Sequence, residues 1–158
     1  NKKKPKIKDI GLISLGNSKQ KKKKTKKFSD YYLTFKRDQS KKFLIELKIG
    51  GDLDNKKAKS EKDSLLRQYV LLKNSKEVKP GDKVKILFCT AYNKDGEGKT
   101  WKQERVRQYF SKEEIKIGKD FWDFICNSPK GYEVVKASYL KHSHFLKDAL
   151  KKIIAHHS

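Results

Sequence analysis

The segment FLIELKI (43–49) constrains the fold more than any other stretch of this chain. Side chains alternate along a strand, so Ile45, Leu47 and Ile49 project to one face while Glu46 and Lys48 project to the other. The aromatic, β-branched run YYLTFKR (31–37) stands just before it, and DQSKK (38–42) reads as the turn of a hairpin. Gly50 and Gly51 end the second strand. A helix is then expected over 60–73, with Leu65, Leu66, Tyr69, Val70 and Lys73 on one stripe. Ser60 is its expected N-cap, with Asp63 three residues on.

Further along, KPGD (79–82) marks a loop, and KVKILFCTAY (83–92) reads as a second buried strand. NKDGEGK (93–99) is rich in turn residues. Helices are expected over 101–114, 120–126 and 143–155, the last with Phe145, Ala149, Leu150, Ile153 and Ile154 facing inward. A short strand is expected at IGLISLG (10–16), and KQKKKKTKK (19–27) reads as a solvated, partly flexible loop. Together these make one α/β domain over 1–158, a small mixed sheet flanked by helices.

Charge narrows the partner. The 158 residues carry 41 Lys and Arg against 19 Asp and Glu, a formal charge of +22. Ordinary small domains carry roughly 2–8 units, so a polyanion, and nucleic acid first, is the expected partner. Only Arg37, Arg67, Arg105 and Arg107 are Arg, which ties part of the charge to a general Lys bias. No apolar run approaches the ~20 residues of a membrane span, and no charged-then-apolar leader opens the chain. A cytoplasmic protein is expected. Cys89 and Cys126 sit among apolar neighbours without a CxxC spacing and read as reduced core thiols. An N-terminal Asn in place of Met suggests a fragment or a processed product.

The residues expected to carry chemistry are Asp30, Glu46 and Lys48. In an antiparallel hairpin the start of the first strand lies beside the end of the second, which brings Asp30 next to Glu46 and Lys48. Two carboxylates offer hard oxygens to Mg²⁺. Such an ion lowers the pKa of a bound water and neutralises a scissile phosphate. Lys48 then orients or deprotonates the attacking water and stabilises the pentacovalent oxygens. The acid-x-Lys spacing alone is uninformative, because it occurs five times, at Glu46, Asp54, Glu77, Glu97 and Glu114. Glu46 is distinguished by context: it ends an apolar strand that follows another strand opened by an acid. Asp9, ahead of IGLI, competes as the first metal ligand; Asp52 and Asp54 are weaker alternatives.

Reading of DNA is expected from the segment 93–107, through Lys94, Lys99, Lys102, Gln103, Arg105 and Arg107. Arg and Lys fork onto guanine edges and Gln pairs with adenine. The HxH pair His142 and His144 has no zinc-site spacing to a partner, and DGEGKT lacks the phosphate-loop pattern.

Asp30 followed by IELK resembles the PD-(D/E)XK nuclease signature, with Ser29 where that family often has Pro. The runs IELKIGGDLDNKKAKSEKDSLLRQY, TAYNKDGEGKTWKQERVRQYF and IGKDFWDFIC are similar to those of type II restriction endonucleases of the TdeIII-like group. The resemblance covers roughly 46–126. It implies a Mg²⁺-dependent homodimeric endonuclease cutting double-stranded DNA at a short palindrome. It also implies an N-terminal helical portion that this chain lacks, as though it were the C-terminal part of a longer enzyme. The rival readings are a non-catalytic basic DNA- or RNA-binding module, or a subunit that needs a second chain.

Overall fold

The computed structural model describes residues 28–49, 53 and 55–157. Asp9, the segments 10–16 and 19–27, the Gly50–Gly51 pair, Asp52 and Asp54 lie outside the described residues, as do the side chains of His156 and His157.

Strand β1 (Tyr31–Phe35) pairs antiparallel with β2 (Asp38–Lys48), with Tyr31 opposite Ile45. Helix α1 (Asn55–Lys73) leads to β3 (Lys83–Thr90), which runs parallel to β2 and sets Glu46 opposite Phe88 and Lys48 opposite Thr90. A short helix α2 (Glu104–Arg107) and a 3₁₀ turn (Lys112–Glu114) precede β4 (Ile115–Ile117), parallel to β3. Helices α3 (Lys119–Ile125) and α4 (Gly131–His157) follow. The result is a four-stranded mixed sheet in the order β1-β2-β3-β4, the small α/β architecture expected.

Residues 42–46 are all buried, because β2 is covered on both faces. On one side Leu44, Val84, Ile86 and Phe88 pack beneath Ala58, Leu65 and Tyr69 of α1. On the other, Phe43, Ile45, Leu87 and Cys89 pack beneath Phe121 of α3. The even-numbered face, which continues through Glu46 and Lys48, is thus the face that α1 covers.

Several boundaries differ from the sequence pattern, each for a physical reason. The hairpin turn is Lys36–Arg37, and 38–42 belongs to β2. A bulge between Thr34 and Phe35 absorbs the extra residues, and buried Lys42 meets Asp82 at 3.3 Å. Helix α1 starts at Asn55, so Ser60 is not its cap; Ala58, wholly buried, fixes the added turn to the core. Most of 101–114 is not helical, because Trp101 is drawn into the core against Phe88. Strand β4 is only three residues long, too short for an alternating pattern to show. The Cys89 thiol is buried and pushed up to about 12, chiefly by that burial, whereas Cys126 is exposed and no core thiol. Helix α4 begins twelve residues earlier than expected, and the stripe expected to face inward is exposed.

Helix α1 is also fixed by a charge. Lys62 is 2% exposed, lies over the Phe110 ring and meets Glu114 Oε2 at 2.6 Å. The same Glu114 oxygen accepts the Ser111 N–H at 2.9 Å. Removing one member of a buried pair strands the other, so Glu114→Ala should cost about 3 kcal/mol in urea unfolding. The double replacement Lys62→Met with Glu114→Leu should recover most of that loss.

Candidate active site

The carboxyl ends of β2 and β3 bring together what the hairpin geometry anticipates. Asp30, immediately ahead of β1, accepts the Leu47 N–H on Oδ2 at 3.0 Å, which pins its carboxylate beside the end of β2. Glu46, 7% exposed, accepts a hydrogen bond from the Lys48 ammonium on its own strand face. The chain beyond β3 closes the end of the sheet, with the Ala91 N–H donating to the Lys48 carbonyl at 3.1 Å.

A fourth residue joins the cluster that the sequence pattern did not single out. Glu61 of α1 lies 2.9 Å from the Lys48 ammonium through Oε1. Lys48 therefore sits between two carboxylates, one from its strand and one from the covering helix. The available signal was that 61 lies one turn ahead of Leu65 on the helix facing the even-numbered side of β2. Helix α1 is also tied to the start of β1, where Gln68 Nε2 donates to the Phe28 carbonyl at 2.9 Å.

These contacts set the protonation states. Burial pushes the Glu46 carboxyl up to about 7; the Lys48 ammonium opposes the rise, and the Glu61 and Asp30 carboxylates add to it. For Lys48, burial alone would lower the pKa, but the hydrogen bonds to Glu46 and Glu61 outweigh it and hold the ammonium above its ordinary value. Lys48 is thus a fixed cation, and Glu46 is the member poised to exchange a proton near neutrality.

Among the described residues no three His, Cys, Asp or Glu side chains converge as a metal cage. The carboxylates that could hold an ion are Asp30 and Glu46, at the carboxyl end of β2. That suits an ion such as Mg²⁺, which binds through one or two carboxylates and keeps several waters.

The segment after β3 is more divided than expected. Lys99 and Arg107 line an open cleft of about 830 Å³, together with Lys112, Lys116 and Lys119. Lys102 and Arg105 are exposed nearby. Lys94 pairs with Asp95 at 3.5 Å. Gln103, in contrast, is 6% exposed and packs into the loop beside Trp101, so its amide is not presented to a groove. Glu97 holds this loop together, accepting the Asn93 N–H at 2.8 Å and the Lys119 N–H at 3.0 Å.

The family described as type II restriction endonuclease, HinfI, matches residues 1–143. The chain belongs to this HinfI family. It is a site-specific deoxyribonuclease, a restriction enzyme whose substrate is DNA. The family that matches is that of HinfI, whereas the sequence runs resembled the TdeIII-like group; a type II endonuclease is common to both. No curated protein and no solved structure matches the chain. Among the described residues no helix is long and apolar enough to cross a membrane.

The raised pKa of Glu46 has a signed consequence. Between the ordinary carboxylate range and pH 7 the folded protein holds a proton that the unfolded chain releases. The stabilisation linked to that proton is complete below the ordinary range and is lost as pH rises through about 7. In EDTA, wild type should therefore lose stability relative to Glu46→Gln between pH 5 and pH 8, as read by thermal unfolding. In a Glu61→Gln background the same loss should fall at lower pH, because one of the carboxylates raising Glu46 is gone.

Proposed function

We propose that this chain hydrolyses phosphodiester bonds of duplex DNA at a short specific site, through a PD-(D/E)XK centre formed by Asp30, Glu46 and Lys48 with Mg²⁺. The observation that carries this reading is the convergence of Asp30, Glu46 and Lys48 at the end of β2, with Lys48 held between Glu46 and Glu61. Asp9 is the alternative first ligand from the sequence; the Asp30 contact with Leu47 favours Asp30. The chain would act in the cytoplasm, where foreign DNA arrives.

Asp30 and Glu46 would hold the ion, which when bound supplies positive charge at the scissile phosphate and a water of lowered pKa. The protein residues do the rest. Lys48, kept as an ammonium by its two carboxylate partners, is a donor and not a base. It orients the attacking water and stabilises the negative oxygens of the pentacovalent state. Glu46 must be ionised to serve as a ligand, so its raised pKa links activity to a pH near or above 7 or to the ion itself. Glu61 would keep the ammonium in place if Glu46 held an ion. Lys99, Lys102, Arg105 and Arg107, with Lys94 close by, supply phosphate and groove contacts along the rim of the cleft.

Glu46→Ala and Lys48→Ala should each lower Mg²⁺-dependent plasmid cleavage by at least a factor of about 10², the scale of losing one charge-stabilising group. Both should still shift duplex DNA in EDTA. Wild-type cleavage by Glu46→Ala would overturn the assignment. Discrete bands from a sequenced plasmid support site-specific cutting, and a smear would refute it.

A further inference from the structure

Glu97 places a carboxylate in the cleft after β3, among Lys99, Arg107, Lys112, Lys116 and Lys119. Both of its oxygens are engaged by backbone. Oε1 accepts the Asn93 N–H at 2.8 Å and Oε2 the Lys119 N–H at 3.0 Å. Asn93 opens the loop that follows β3, and Lys119 opens α3, so one side chain ties together two segments that line the cleft. Gly118 makes room for it. This residue is buried at φ +53, and a Cβ there would run into the Glu97 carboxylate. An L side chain at 118 would be strained in the left-handed region and would also displace the carboxylate.

The loop held by Glu97 is itself fixed. Asn93 accepts the Asp95 N–H at 3.0 Å, and its Nδ2 donates to the Lys99 carbonyl at 2.8 Å. The Lys99 N–H donates to the Gly96 carbonyl at 3.1 Å, so both backbone groups of Lys99 are bonded within the loop. Asp95 Oδ2 accepts the Lys102 N–H at 2.8 Å. Asn93, Asp95 and Glu97 thus serve as internal pins, and the side chains of Lys99 and Lys102 stand exposed on the surface that they hold.

We propose that Glu97 is a positioning residue for sequence discrimination, which acts through Lys99 and Lys119 by fixing the loop to α3 across the cleft. Affinity is not what this carboxylate serves, since an anion among five cations weakens the pull on phosphate. Contacts to phosphate tolerate a loop that shifts, because phosphates repeat at every step of the duplex and carry no sequence information. Contacts to base edges require donors at fixed places. A loop that cannot shift cannot adapt to a wrong sequence, so its rigidity enters the difference between right and wrong sites. The inference rests on the reading above that DNA lies along this cleft.

Two variants separate position from charge. Glu97→Ala removes both bonds and one negative charge, whereas Gly118→Ala keeps every charge and displaces the carboxylate. The probes are short duplexes carrying the site that wild type cuts on a sequenced plasmid, and single base-pair changes of that site. In both variants the ratio of kcat/KM for the site over its altered forms should fall on the order of tenfold, the discrimination of one good base contact. For the correct site the loss should lie in KM, with kcat little changed. Adding Gly118→Ala to Glu97→Ala should cost little more, because the carboxylate it displaces is gone. Glu97→Gln, which keeps the shape and one acceptor, should lose less than Glu97→Ala. An unchanged ratio in both single variants overturns the proposal. So does uniformly tighter binding of every duplex by Glu97→Ala with Gly118→Ala like wild type, which is the signature of charge alone. The double variant Lys99→Ala with Arg107→Ala tests the cleft itself. If it binds and cuts as wild type does, the cleft reading falls and the inference with it; if it binds weakly while the Glu97 and Gly118 variants discriminate normally, only the inference falls.

Discussion

The Lys48 ammonium, shared between Glu46 on its own strand and Glu61 on the covering helix, is the interaction on which the site depends. Strand β2 is buried on both faces, and its last turn of pleat carries a carboxylate into the protein. A buried carboxylate is costly unless it is protonated or paired. Here one ammonium serves two carboxylates, and Asp30 stands at the Leu47 amide, so negative charge exceeds positive at the cluster. The imbalance appears directly as the raised pKa of Glu46. An excess of carboxylate that is expensive in isolation is the condition under which a divalent cation binds favourably. On the proposed reading, the same excess that strains the folded protein would prepare it to hold that cation.

The covering helix has to be set accurately for this arrangement to hold, and its neighbours show how that is done. Lys62 follows Glu61 directly, points into the core and is locked to Glu114 ahead of β4. Residues 58, 62, 65 and 69 bury along one stripe, which fixes the rotation of α1 about its axis. Glu61 is then carried to the edge of that stripe, half-buried over Lys48. Two ion pairs, Lys62–Glu114 and Glu61–Lys48, start from successive residues, and the first constrains the second.

The strand hairpin and its consequences could be read from the sequence because they rest on short-range pattern. Alternation in FLIELKI fixed the face of Glu46 and Lys48, and antiparallel pairing placed Asp30 beside them. Glu61 could not be read the same way, since its role depends on the rotational setting of α1, and that setting is decided by Lys62 reaching Glu114 fifty-two residues away. A buried Lys breaks the usual rule that charge marks the solvent side of a helix. Gln103 failed for the related reason that its loop is anchored by Trp101 and Glu97, and loop anchoring leaves no periodic trace. Helix α4 misled in the opposite sense. Its apolar stripe was correctly seen but assigned to this chain's own core, because periodicity reports that a face is apolar and not whether the fold covers it.

The +22 charge is distributed in a way that separates binding from chemistry. Five cations line the cleft after β3, while Lys48 at the acid cluster is neutralised by its two partners. Lys99 follows β3, Arg107 and Lys112 lie between β3 and β4, Lys116 is within β4 and Lys119 follows it. A duplex drawn to that cleft by counterion release meets a locally acidic centre set among basic walls. The phosphate that reaches the carboxylates must then be accompanied by a cation, since the centre repels it otherwise. On the proposed reading, binding energy from the flanking Lys and Arg residues would be gained without metal, whereas the chemical step would need it. On the proposed reading the abundant charge would attract the substrate, and the scarce charge of opposite sign would decide whether it is cut.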